Sequence, residues 1–293
     1  MKIATIVVTY NRKSLLLECL EHLLSQSIQS DIIVVDNNSN DGTEEELKQY
    51  INDGKILYYN TGANLGGAGG FQFGIKIAYS LGYDLMWMMD DDSMPEKEAL
   101  KELMRVHKKL HGNYGYLSSK VIWKDGSLCK MNIQRRTLRQ DITDYSKPVI
   151  RCTMATFVSV LLKREVVEKV GLPIKEFFIW CDDAEYTRRI SKKYKCYVAS
   201  RSVVEHKTAL NHGSEISADT FERIDRYRYL YRNSIYFYRQ EGIKGFFIKS
   251  LQLCVHILKV MAKAPDHKSQ RVKMILKGTK EGLTFRPKVE YVN

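Results

Sequence analysis

The sequence predicts an α/β protein built on a mostly parallel central sheet with helices on both faces, followed by a basic helical region. Three observations carry this. Short β-rich apolar runs alternate with segments of helical periodicity from residue 3 to residue 89. Three of those runs give way to Asn11, Asp36 and Asp90, polar residues of the kind found where strand ends meet a ligand crevice. The charge is also uneven: residues 221–293 hold 16 Lys and Arg against 6 Asp and Glu, whereas residues 1–220 hold 30 against 28. Composition changes with charge near Ala218, so the reading is an α/β domain over 1–218 and a basic amphipathic helical region over 219–293.

The elements follow in order. Residues 3–8 make a continuous buried strand, 14–24 a helix, and 32–35 a second strand ending at Asp36. Asp41 is suited to N-cap the next helix, with Glu44, Glu45 and Glu46 in its first turn, where the helix dipole favours acids. Residues 56–59 give a third strand, a glycine-rich loop covers 66–70, and a helix follows to about Leu81. Residues 85–89 form a fourth strand that runs into Asp90-Asp91-Asp92. Pro95 is expected to open a helix reaching His111. Residues 115–123 read as a strand, 124–148 as polar and irregular, and 152–162 as one apolar strand. Residues 164–170 and 183–193 read as helices, and 196–204 as a strand with His206 just beyond it.

Composition narrows the possibilities. With 44% hydrophobic residues and only 18 Gly and 5 Pro among 293, the chain is neither disordered nor collagen-like nor a disulfide-stapled miniprotein. Its six cysteines form no CxxC pair, which reads as reduced thiols in a cytosolic protein. The first apolar run ends in polar residues 9–12 with no cleavage site, so no secretory signal is expected. The longest apolar stretch, 245–262, is interrupted by Lys249, His256 and Lys259, so no membrane span is expected either.

The chemistry concentrates in acidic clusters. Asp90, Asp91 and Asp92 repel one another unless a cation is present, and Mg²⁺ or Mn²⁺ is the natural partner for such oxygen ligands; the alternative is an acidic cap for the helix after them. Asp36 suits a nucleobase or a ribose hydroxyl, or loop capping. Asn64, Gly66 and Gly67 belong to a loop whose backbone can come close to a ligand. Asp182 and Asp183 follow the aromatic run 177–180, and apolar walls raise a carboxyl pKa toward that of a general base; Glu185, Arg188 and Arg189 equally allow a charged helix cap. His206 is either a metal ligand or a satisfied histidine.

Five motifs in order, Val7-Val8-Thr9-Tyr10-Asn11-Arg12, the Asp36 to Thr43 run, Asn64-Leu65-Gly66-Gly67-Ala68-Gly69-Gly70, Asp90-Asp91-Asp92 and Trp180-Cys181-Asp182-Asp183-Ala184-Glu185-Tyr186, resemble family-two inverting glycosyltransferases over roughly residues 1–210. They look most like bacterial galactofuranosyltransferases, and rhamnosyltransferases share much of the pattern. The resemblance implies a GT-A fold, a nucleotide-diphosphate sugar donor and Mn²⁺ or Mg²⁺. It implies that Thr9, Asn11, Arg12 and Asp36 hold the nucleoside, with Asn64, Gly66 and Gly67 also at the donor. Asp90, Asp92 and His206 would hold the metal, and Asp91 would face the donor sugar. Trp180 and Asp182 would meet the acceptor and Asp183 would be the base. UDP-galactofuranose is the expected donor, with dTDP-rhamnose as the alternative.

In the basic region Phe247, Leu251, Cys254, Leu258 and Met261 recur on one helical face and Lys249, Gln252, His256, Lys259 and Lys263 on another. This suits an anionic membrane surface and a lipid-linked glycan acceptor, with the enzyme held peripherally at the inner face of the cell membrane. The alternative is a helix packed on its own core or on a second copy in a homo-oligomer. A nucleic-acid binder fits the pI of 9.3 but leaves both acidic clusters unexplained, so no nucleic-acid partner is expected. A nucleotidyltransferase lacks the usual basic phosphate-gripping loop near the N-terminus, where only Arg12 and Lys13 stand.

Overall fold

The structure, a computed structural model, describes residues 1–292. Strand β1 (Ile3–Thr9) lies between β2 (Asp31–Asp36) and β4 (Leu85–Asp90), with β3 (Ile56–Asn60) outside β2, all parallel. Beyond β4 the sheet becomes mixed. β8 (Val160–Lys163) runs antiparallel to β4, β6 (Tyr116–Ile122) antiparallel to β8, and β9 (Cys196–His206) parallel to β6. β5 (Ser93–Pro95) and β7 (Val149–Cys152) both pair antiparallel with β9.

Successive side chains of a strand point to opposite faces, and here both faces are covered. Ile6, Val8, Ile33 and Val35 join one core with Phe71 and Ile75 of α3 (Gly66–Ser80) and Val166 and Val167 of α5 (Arg164–Val170). Val7, Ile32 and Val34 join the other with Leu16 and Leu20 of α1 (Lys13–Leu24), Leu47 of α2 (Thr43–Asn52), and Leu100 and Leu103 of α4 (Ala99–Lys109). Burial on both sides explains why these strands read as continuous apolar runs rather than alternating ones.

Several boundaries differ from expectation. The glycines at 66–70 already belong to α3, because a Cβ at Gly70 would come within 2.5 Å of Val8 and one at Gly74 within 2.5 Å of Ile6. They let the helix lie directly on β1. Asp41 does not N-cap α2; Gly42 holds that position, and Asp41 accepts from the Lys13 amide at the head of α1 and from Thr43. Pro95 ends β5 instead of opening a helix, and α4 begins at Ala99. The run 152–162 is two strands, β7 and β8, because Thr153 and Met154 turn aside to bond with Arg135.

The C-terminal helices dock on the segment that leads into α6 (Asp182–Ser191). From α7 (Tyr227–Arg239), Tyr236, Tyr229 and Tyr227 stack on Phe177, Phe178 and Trp180, with ring centroids 5.0–5.6 Å apart. Arg188 of α6 forms a two-pronged ion pair with Glu241 at 2.8 and 3.0 Å. Helices α8 (Gly242–Lys263) and α9 (Lys268–Thr284) pack on α7 and on each other.

Helix α8 bears on the expectation of no membrane span without deciding it. It spans 22 residues with a mean hydropathy of 1.4 in its most apolar window, long and apolar enough by length and composition to cross a membrane. Part of its polar stripe is turned inward and its apolar stripe outward. Lys249 is buried against the rings of Tyr231 and Tyr238, and His256 bonds the Tyr231 hydroxyl, while Phe247, Leu251 and Leu258 are 67–69% exposed. The apolar stripe therefore does not pack on this chain's own core.

Candidate active site

The carboxyl ends of β1, β2 and β4 deliver Thr9, Asp36 and Asp90 to one edge of the sheet. Asp91 and Asp92 follow in a tight turn before β5, and the β5–β9 register sets His206 directly opposite Ser93. That pairing brings a histidine 114 residues away onto the acidic cluster. One ligand atom each from Asp90, Asp92 and His206 lies within 4.8 Å of the others.

The cluster is densely bonded. Arg12 Nη1 reaches Asp92 at 2.6 Å and Asp91 at 3.2 Å, and the Thr9 hydroxyl donates to Asp91 at 2.8 Å. His206 lies 2.9 Å from Asp92 through Nε2 and 2.8 Å from the Asn132 side-chain oxygen through Nδ1. Burial and the Asp92 charge push the Asp90 carboxyl up to about 7, against the pull of His206. Burial likewise carries Asp91 up to about 6, although Arg12 opposes it. At Asp92 the hydrogen bond and charge of His206, together with Arg12, outweigh burial and hold the carboxyl down at about 2. His206 correspondingly overcomes its own burial and rises to about 10.

These residues fit a divalent ion. Both ring nitrogens of His206 face acceptors, so the bare ring must carry two protons. A bound cation would replace the Nε2 proton and leave Nδ1–H on Asn132, the usual outer hydrogen bond of a metal-binding histidine.

The second acidic pair stands at the head of α6. Asp182 is buried and Asp183 partly exposed. Burial and the charge of Asp183, with a further contribution from Asp90, drive the Asp182 carboxyl well above its ordinary range. Asp90 is thus among the charges that reach Asp182. Burial raises Asp183 to about 6, opposed by the Ala184 amide, which donates to it at 2.6 Å, and by the charge of Arg135. The approach to this pair is unusual backbone: Phe178, Trp180 and Cys181 all have positive φ, between 63° and 66°. Such conformations cost non-glycine residues on the order of 1–3 kcal/mol each and concentrate at functional sites.

A family model described as glycosyl transferase family 2 matches residues 5–171. The chain belongs to glycosyl transferase family 2. Galactofuranosyltransferase GlfT1 of Mycolicibacterium smegmatis is 28% identical over 199 residues, covering 64% of this chain and 65% of that protein. The chain thus spans a little under two thirds of the length of this relative. Among solved structures, the mannosyltransferase PcManGT of Pyrobaculum calidifontis, in complex with GDP-Man and Mn²⁺, has a TM-score of 0.60 at 14% identity, over 97% of this chain and 87% of that one. The first 349 residues of S. aureus TarS superimpose with a TM-score of 0.57 at 16% identity, covering 97% and 72%. The central fold of this family 2 glycosyltransferase is accordingly GT-A.

Several positions singled out in the sequence are occupied by structural bonds. The Asp36 carboxylate accepts from the Ser39 amide and the Tyr58 hydroxyl. Asn11 ties its loop to Ser39 and Asn40, and Asn64 accepts from the Gly66 amide. Gly67 faces open space, whereas a Cβ at Gly66 would stand 2.1 Å from the Phe178 carbonyl oxygen. An open recess of about 360 Å³ beside β1 is lined by Asn11, Arg12, Lys13 and Asp41. Trp180 is part-buried on Tyr227. Asn132, which bonds His206, and Arg135, whose charge acts on Asp183, carried no signal in the sequence, because they lie in an irregular segment without periodicity.

Proposed function

We propose that this family 2 glycosyltransferase is an inverting, metal-dependent hexosyltransferase, and that galactofuranose from UDP-galactofuranose is the sugar it moves. The acceptor is a hydroxyl of a growing lipid-linked cell-surface glycan. The observation that carries the reading is the cluster of Asp90, Asp92 and His206, with ligand atoms within 4.8 Å of one another at the carboxyl ends of the parallel strands; the acidic pair at the head of α6, with Asp183 raised to about 6, supports it. The likeness to GlfT1 supports the choice of sugar.

In this reading the nucleoside lies over the ends of β1 and β2, bounded by Thr9, Asn11, Arg12 and Asp36, with the donor also meeting Asn64, Gly66 and Gly67. Asp90, Asp92 and His206 would hold Mn²⁺ or Mg²⁺, which would supply positive charge against that of the departing diphosphate. Asp91, fixed by Thr9 and Arg12, faces the donor sugar. Trp180 and Asp182 bound the acceptor. Asp183 takes the proton from the acceptor hydroxyl as that oxygen attacks the anomeric carbon; the bond to the diphosphate oxygen breaks and the configuration inverts. The enzyme works at the inner face of the cell membrane, held there by the apolar stripe of α8 and by exposed Lys244, Lys263, Lys273, Lys277 and Lys280.

The test is release of nucleoside diphosphate from a panel of UDP- and dTDP-sugars, with Mn²⁺, Mg²⁺ or chelator. UDP-galactofuranose should be consumed only with metal. Preference for dTDP-rhamnose would transfer the assignment to that sugar, and metal-independent release, or none from any donor, would reject the reading.

A further inference from the structure

The segment 177–181 is held in a conformation its own residues resist. Phe178, with φ 63° and ψ −61°, centres a tight turn in which the Ile179 amide reaches the Phe177 carbonyl at 2.7 Å. Trp180 and Cys181 continue with φ 66°. None of the three is glycine, so the strain must be offset from outside.

The partner is Asn233 on α7, which is fully buried. Its Nδ2 donates to the carbonyls of Phe177, Ile179 and Trp180 at 2.9, 3.0 and 2.9 Å. An amide nitrogen carries two protons, so three acceptors share them. Its Oδ1 accepts from Arg232 Nε at 3.0 Å, which fixes the direction of the amide. Arg232 also bonds the carbonyls of Glu176 and Phe177 and lies over the rings of Tyr229 and Phe285. From the opposite side, the Ala68 amide donates to the Phe178 carbonyl at 3.2 Å. Asn233 has no hydrogen bond to either carboxylate among the described residues.

We infer that Asn233 is a positioning residue for the transfer reaction: by gathering three carbonyls on one amide it holds the turn that delivers Asp182 and Asp183 to the crevice. This rests on the reading of Asp183 as the base. It makes α7 part of the reaction centre, acting through backbone and not through contact with substrate.

Asn233→Asp in the full chain tests it, because the shape is kept while the donor becomes an oxygen facing three carbonyl oxygens. Hydrogen exchange across 177–186 should quicken by about tenfold or more while that of β1 and β4 is unchanged. Turnover should fall about a hundredfold, the scale of an ångström of misplacement, while the KM for the sugar nucleotide stays within about twofold. Asn233→Ser, which keeps one donor, should fall between and serves as the second variant if the aspartate does not fold. Unchanged exchange with unchanged turnover overturns the inference, as does a rise in KM that accounts for the whole loss. Failure of the underlying reading looks different: Asp183→Asn would retain turnover, while the exchange result in the Asn233 variants would stand.

Discussion

Asp182 and Asp183 are neighbours in sequence but are pushed to different proton affinities. Asp182 is the more deeply buried and feels both Asp183 and Asp90, so it keeps its proton far above the ordinary range, whereas Asp183, held to about 6, has lost its proton at neutral pH. Only the ionised partner can accept a proton, so turnover should rise with pH through about 6 and level off above it. Asp183→Asn keeps the size of the side chain but cannot act as a base. It should cost on the order of a hundredfold or more in turnover and remove that limb of the pH profile, with sugar-nucleotide binding intact. Steady-state rates from pH 5 to 8 alongside binding titrations check this; retained turnover would make Asp182 the next candidate. The acidic residues themselves were legible because runs of like charge after an apolar strand are conspicuous. The side chains that hold their surroundings were not: Asn132 stands 74 residues from His206 and Asn233 stands 53 from Trp180, and no local pattern links them.

At the scale of elements, the glycines of α3 are there for contact with the sheet. A Cβ at Gly74 would meet Ile6 at 2.5 Å and Val35 at 3.0 Å, with the strand fixed behind both. Gly74→Ala should gain up to about 1 kcal/mol in helix propensity but lose about 1–3 kcal/mol to overpacking. The expected result is a lower midpoint in urea with an unchanged slope, and an unaltered or raised midpoint would contradict the close approach. The same crowding explains why the start of α3 was misjudged. Glycine is a poor helix former in isolation, so 66–70 reads as loop until the sheet it lies against is known. Pro95 misled for a related reason: its missing N–H suits a first helical turn, but it suits the last residue of a short edge strand equally well. The first four strands and their helices were legible from periodicity alone, since both faces of that part of the sheet are buried. The change to antiparallel pairing beyond β4 depends on which distant strand fills the gap, and periodicity carries no information about that.

At the scale of the whole molecule, α8 leaves an apolar stripe exposed, and α8 and α9 both carry exposed lysines. Phe247, Leu251 and Leu258 are exposed, and a chain that also exposes lysines on α8 and α9 suits shallow burial among anionic headgroups. The full chain should co-sediment with vesicles containing anionic lipid at low ionic strength. Binding should weaken as salt rises and drop sharply in Phe247→Ser/Leu251→Ser, whose own stability should be unchanged because both side chains lie outside the core. Failure to bind at low salt, with self-association in light scattering, would assign the face to a second copy instead. A different consequence follows from the pairing of β5 with β9. The candidate cation site draws two ligands, Asp90 and Asp92, from the end of β4 and the turn after it and its third from His206, so no chain cut short of that histidine holds a complete one. During synthesis Asp90 to Asp92 therefore leave the ribosome long before their histidine does, and Arg12, already made, is the counter-ion at hand. A cation held by these three groups would bind fully only once β9 is laid into the sheet, which would make metal uptake a late report on the completion of folding.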